Sequence, residues 1–136
     1  MANSQGLSTA AKVRAVAAIT TGNFKCALYF TSASISPATT DYTTSGEVTG
    51  TGYSAGGVAC DFNAAASSGT TAFANLDGDI SFGVVTLADF NCAMVYDSDT
   101  GKCVAIYTFG NTSVTGQPFG LDIPADGSST AAVRIG

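Results

Sequence analysis

Asp89-Phe-Asn-Cys-Ala-Met-Val-Tyr-Asp-Ser-Asp-Thr-Gly-Lys-Cys-Val-Ala-Ile-Tyr-Thr-Phe109 is the stretch that decides the fold. From Asp89 to Tyr96, Cys92, Met94 and Tyr96 alternate with Ala93 and Val95, the two-residue period of a strand. Asp99-Thr100-Gly101 is turn chemistry, because Asp bonds its own backbone and Gly accepts a left-handed conformation. Lys102 to Phe109 then supplies β-branched and aromatic residues for a returning strand. The reading is an antiparallel hairpin. A loop centred on Asp99–Gly101 also sets Cys92 and Cys103 out of register, so they are not expected to form a disulfide.

The same grammar extends in both directions. Phe24 to Phe30 places Phe24, Cys26, Leu28 and Phe30 on one face, a candidate core face. Val58 to Ala64 is read as a strand, with Val58, Cys60 and Phe62 in phase. Ser67-Ser68-Gly69 is read as a turn before a short strand at Thr71–Ala74, and Asn75–Asp79 as another turn. Ile80–Val85 is a further strand. Gly110–Gly116 is read as a loop, followed by a strand at Gln117–Ile123, a turn at Pro124–Ser129 and a last strand at Thr130–Ile135. Between these lies Thr43–Gly57, whose five glycines predict a winding segment with at most short, edge-like strands.

Seven to nine short strands without intervening helices predict an all-β chain, an antiparallel β-sandwich or jelly roll, with a closed barrel as the second choice. Residues 1–22 differ. Ser8-Thr9 can cap a helix from Ala10 to about Ile19, with Val13, Val16 and Ala17 on one stripe and Gly22 as its stop. The expected organisation is an N-terminal arm or short helix at 1–22 and one β-sandwich domain at 23–136. The helix either packs over an open end of that domain or reaches a neighbour.

Composition narrows the function. Charged residues make up 11% of the chain, against roughly 25% in ordinary domains. Polarity comes instead from Ser, Thr, Asn and 16 glycines. So sparse a charge suggests a surface meant to be covered, although a soluble Ser/Thr-coated domain has the same composition. The five basic residues, Lys12, Arg14, Lys25, Lys102 and Arg134, form no run, so no nucleic-acid partner is expected. Val13–Ile19 is too short to span a bilayer and has no signal-peptide pattern around it. No membrane partner is expected, and synthesis is expected in a cytosol.

Histidine is absent, which removes Ser-His-Asp, Cys-His and histidine-base catalysis. Cys26, Cys60, Cys92 and Cys103 lack zinc-ligand spacing and are read as buried, free thiols. Asn75-Leu-Asp-Gly-Asp79 and Asp97-Ser-Asp-Thr-Gly101 resemble part of a calcium loop but lack its sixth-position glycine and late glutamate, so they are read as turns. An acid–base pair for glycoside cleavage is disfavoured, since Glu47 is the only glutamate and no tryptophan platform exists. Gly50-Thr-Gly52 with Gly57 opens no helix and is not a phosphate loop. No catalytic residue, cofactor or metal is expected. The segments expected to make contacts are the N-terminal arm, through Lys12, Arg14 and Val16, and the loop Thr31–Tyr53, through Pro37, Tyr42 and Tyr53.

Several stretches together carry a family likeness. They are Phe24-Lys-Cys-Ala-Leu-Tyr29, Pro37-Ala-Thr-Thr-Asp-Tyr-Thr-Thr-Ser-Gly-Glu-Val-Thr-Gly-Thr-Gly-Tyr-Ser-Ala-Gly-Gly-Val58, Ala93-Met-Val-Tyr-Asp97, Lys102-Cys-Val-Ala-Ile-Tyr-Thr-Phe-Gly110, Leu121-Asp-Ile-Pro-Ala-Asp-Gly127 and Ala132-Val-Arg-Ile135. The chain resembles a family of small bacteriophage virion structural proteins from about residue 7 onward, most specifically over Glu47–Gly57. The resemblance implies a capsid decoration (cement) subunit on the virion surface, a homo-oligomer (dimer or trimer) whose partner is the major capsid protein. A tail, collar or fibre-associated virion part is the alternative, and a carbohydrate-binding β-sandwich module a more distant one. No catalytic residue comes with the likeness.

Overall fold

The computed structural model describes residues 3–121 and 133–135. The order is α1 (Thr9–Thr20), β1 (Phe24–Phe30), β2 (Val58–Cys60), β3 (Ala66–Ser68), β4 (Thr71–Ala74), β5 (Ile80–Asp97), β6 (Cys103–Leu121) and β7 (Val133–Ile135). Two antiparallel sheets form, a four-stranded one in the order β2-β1-β5-β6 and a three-stranded one in the order β3-β4-β7. The expected class, all-β and antiparallel with one short N-terminal helix, is what the chain adopts. Neither sheet closes into a barrel among the described residues.

The decisive hairpin forms as read, and it is longer. Asp97 N–H donates to Lys102 O at 2.9 Å and Gly101 N–H to Asp97 O at 2.7 Å, while Asp97 Oδ1 accepts from Asp99 N–H at 2.8 Å. Cys103 faces Tyr96 and Cys92 faces Thr108, so the two cysteines are out of register as the turn requires. All four cysteines are free; Cys26 and Cys92 are buried, Cys60 and Cys103 half-buried.

Two expectations along the hairpin are corrected. Ile80–Val85 and Asp89–Tyr96 are one strand of 18 residues, and the loop expected at Gly110–Gly116 lies inside a strand of 19 residues. Local residues favour breaks there, but ladder bonding carries the strands through, and the strain emerges as register shifts. One lies between Leu87 and Phe90, where Asp89 adopts φ 51. The strand expected over Val58–Ala64 is shortened to Val58–Cys60, and the residues read as turn at Ser67-Ser68 are strand. The turn read at Pro124–Ser129 lies outside the described residues.

β1 runs between β2 and β5 and is buried on both sides. Phe24, Cys26 and Leu28 are 3% exposed or less, as the alternation predicts; so are Ala27 and Tyr29 on the opposite face. Those two pack with Cys92, Met94 and Tyr96 into a second core cluster. A central strand loses the polar-outside alternation that marks a half-exposed one.

The chain partitions into two compact units. One holds α1, residues 62–77 and β7; the other holds residues 22–61 and the described part of Gly78–Ile123. This division does not follow the expected 1–22 and 23–136 boundary, because the helix shares its unit with strands from distant parts of the chain. Ser8 caps α1, its Oγ accepting from Ala11 N–H at 3.1 Å, which contributes about 1 kcal/mol. Val16 on the helix is fully buried with Ala72 and Ala74 of β4, beside Val133 and Ile135 of β7. Burying that side chain contributes about 2 kcal/mol.

Candidate functional site

The most constrained constellation of side chains centres on Glu47, the only glutamate in the chain and 6% exposed. It lies in the glycine-rich segment Thr43–Gly57, a strap along the outer edge of the four-stranded sheet. Phe30 N–H donates to Gly46 O at 2.9 Å, Val48 N–H to Leu28 O at 3.0 Å, and Thr86 N–H to Thr51 O at 2.9 Å. The strap thus borders β1 first and then β5. Its path needs glycine. A Cβ on Gly57, at φ 80, would stand 1.8 Å from Cys26 O, and one on Gly50 would stand 2.1 Å from Thr86 O.

The strap is tied at both ends to one carboxylate. Glu47 Oε1 accepts from the Tyr42 hydroxyl at 2.5 Å; Oε2 accepts from the Tyr53 hydroxyl at 2.6 Å and Gly56 N–H at 2.8 Å. The Tyr53 oxygen in turn accepts from Leu28 N–H at 3.1 Å, and the Tyr96 hydroxyl donates to Gly56 O at 2.6 Å. Tyr42 stacks on Tyr96 with ring centroids 4.5 Å apart. Tyr29 donates its hydroxyl to Thr43 O at 2.7 Å. A buried charge without such donors would be costly; here neutral dipoles replace its water.

The cluster's polar atoms are paired with one another. Both carboxylate oxygens are occupied, and burial raises the Tyr29, Tyr42 and Tyr53 hydroxyls well above their ordinary value, with Glu47's charge adding to the rise. Burial likewise raises the Cys60 thiol to about 11, beside Asp61, and the Cys26 thiol further. These thiols are poor nucleophiles.

The six expected contact residues meet different fates. Arg14 and Pro37 are exposed. Lys12 is half-buried and its Nζ donates to Thr70 O at 2.9 Å. Val16 is corrected: it is core, because the helical stripe read as an arm's contact face packs on β4 and β7. Tyr42 and Tyr53 are also turned inward, their hydroxyls held by Glu47. The structure therefore brings together only the last two. Glu47 was missed as their common partner, and the signal was its isolation as the one glutamate inside a glycine-rich run.

Other concavities and clusters offer less. A groove of about 510 Å³, lined by Ser4, Gln5, Leu7, Thr9, Lys12 and Thr70 among others, lies at the start of α1 and contains no acid–base pair. Among the described residues, no three His, Cys, Asp or Glu side chains gather in a way that could hold a metal ion. Among the described residues, no helix is long and apolar enough to cross a membrane.

No family model matches the chain, and no curated protein or solved structure is similar to it.

An uncharged surface lies on the β5–β6 hairpin. β6 contains no charged residue along its 19 positions, and Asp89 is the one charge between Ile80 and Tyr96 of β5. Thr108, Ser113, Thr115 and Gln117 of β6 are exposed, with Val84 of β5 61% exposed beside Pro118. Phe90, Phe109 and Phe119 pack together on the inner side.

Proposed function

We propose that this chain is a bacteriophage capsid decoration protein, binding the outer surface of the assembled major-capsid shell as a homo-oligomer and stabilising it. The observation that carries the reading is the long hairpin with an aromatic inner side and an exposed face of small, uncharged residues. Such a face can be covered by protein without stranding buried charges. The likeness to small phage virion proteins expected from the sequence, most specifically over Glu47–Gly57, motivates the same reading. A decoration subunit binds the lattice in preference to free capsid subunits, so its binding energy adds to shell stability by linkage. Many copies on a symmetric shell turn a weak contact into a lasting one.

Quantitative mass spectrometry of purified virions, relative to the major capsid protein, tests this. The expected ratio is about one copy per capsid subunit, following the shell's symmetry. Particles stripped of the chain are expected to open at lower temperature. A ratio of roughly a few per hundred would instead fit a tail or collar part, and absence from particles would remove the virion reading.

A further inference from the structure

We propose that β6 is a self-association edge: two copies of this chain pair antiparallel along β6, about a two-fold axis near Ile106 and Tyr107. Their four-stranded sheets then join into one of eight. The inference deepens the homo-oligomer part of the reading above and rests on it, while its test needs no capsid. β6 closes the sheet order β2-β1-β5-β6, so it bonds β5 on one side. On its other side the described residues supply a cover at its start, where Cys103 N–H donates to Thr40 O at 2.9 Å. Beyond Cys103, no strand or bridge among the described residues lies on that side.

The vacant side shows in the packing. β5 has β1 and β6 as neighbours, and its Phe90, Met94 and Val95 are fully buried. Val104, Ile106 and Phe109 of β6 are as apolar, yet they stay half-buried. Stable monomers defend an edge strand by shortness, charge, proline or bulges. β6 has 19 residues and no charge. Pro118 stands near its far end, and its register with β5 shifts on both sides of residues 105–108. Those four face Val95, Met94, Ala93 and Cys92 in unbroken register, the longest such run on the strand. A regular run with one side vacant is where another strand can add.

Charge names the occupant. The chain carries a net charge of −5, so two copies repel wherever acidic surfaces meet. Paired about the centre of residues 105–108, β6 meets only β6, and no charge enters the ladder. Lys102, just before β6, is already paired with Asp41 at 2.8 Å, so the end of the seam is neutral too. A second copy therefore covers this edge without burying an unpaired ion. The regular run is short, which makes the single contact weak and leaves many copies on a symmetric shell to strengthen it.

Analytical ultracentrifugation of the full chain over roughly 1 μM to 1 mM tests this. The wild type is expected to pass from monomer to dimer within that range. Thr108→Lys, at an exposed position of the run, is expected to weaken dimerisation by about tenfold or more. The added cation reduces the chain's net charge, so general repulsion cannot explain that loss. Ser67→Lys makes a similar change on β3, the exposed edge strand of the other sheet, and is expected to leave the dimer intact. A wild type monomeric throughout, or a Thr108→Lys chain that dimerises as well as the wild type, overturns the pairing. If Thr108→Lys does not fold, amide hydrogen exchange of the wild type at the two ends of the range decides. Protection gained with concentration at residues 105–108 supports the edge, and protection gained only elsewhere overturns it. These measurements contain no virion, so their failure and that of the copy-number test are read separately.

Discussion

The strap Thr43–Gly57 and the strand β6 invert the usual relation between regularity and burial. The strap forms no named strand, yet it holds the buried Glu47 and passes so close to β1 and β5 that Gly50, Gly52 and Gly57 have no room for a side chain. β6 is continuous over 19 residues, yet none of its residues is fully buried. The difference teaches that ladder bonding and interior packing are separate demands. A segment can be irregular because its hydrogen bonds go to side chains and edges, and regular while its surface awaits a partner.

That contrast can be broken by substitution. Gly57→Ala strikes it hardest, because it combines a left-handed backbone with a Cβ placed 1.8 Å from Cys26 O. A loss on the order of 4 kcal/mol in chemical denaturation is expected. A loss below about 1 kcal/mol would mean that the strap is not held against β1. Glu47→Ala should follow at about 3 kcal/mol, since it strands two hydroxyls and an amide. If stability is unchanged, those donors must find water and the strap must be open to solvent.

The tyrosines sharpen the same comparison at alkaline pH. All five have hydroxyls raised by burial, Tyr107 to about 12 and the others also upward. The folded chain therefore keeps protons that the unfolded chain releases near pH 10. The resulting stabilisation is whole below that pH and is lost as pH climbs towards the folded values. Tyrosinate absorbance should thus appear together with unfolding, and a smooth titration of all five in the folded state would contradict the burial. At the small end, Thr115→Ala on the exposed face of β6 should change stability by less than about 0.5 kcal/mol. A large loss there would mean that the hairpin face is already engaged within the chain.

Much of this architecture was legible beforehand. The Phe24–Phe30 strand was readable because apolar alternation and flanking turn residues agree, and the Ser8 cap because Ser precedes a run of good helix formers. The Gly110–Gly116 continuation was not, because local propensity favours a loop while pairing with β5 imposes a strand. The burial of Tyr29 was hidden by its position opposite the Phe24–Leu28 face; only the topology shows that β1 has neighbours on both edges. Val16 was seen as part of an apolar stripe, but a stripe does not say what covers it. The Glu47 cluster was least visible of all. Its donors come from positions 42, 53 and 56, and only the three-dimensional course of the strap converges them.

The unit built from α1, residues 62–77 and β7 is stitched from three pieces far apart in the sequence. On a ribosome, α1 emerges before β7, separated by roughly ten seconds of synthesis. From its own synthesis until that of β7, β4 lacks one of its two neighbours, and the pocket around Val16 lacks Val133 and Ile135. The larger sheet has all its strands once Leu121 is made. Birth order therefore sets a completion order, in which the unit that contains α1 is sealed after the larger sheet, although α1 is made before every strand of that sheet.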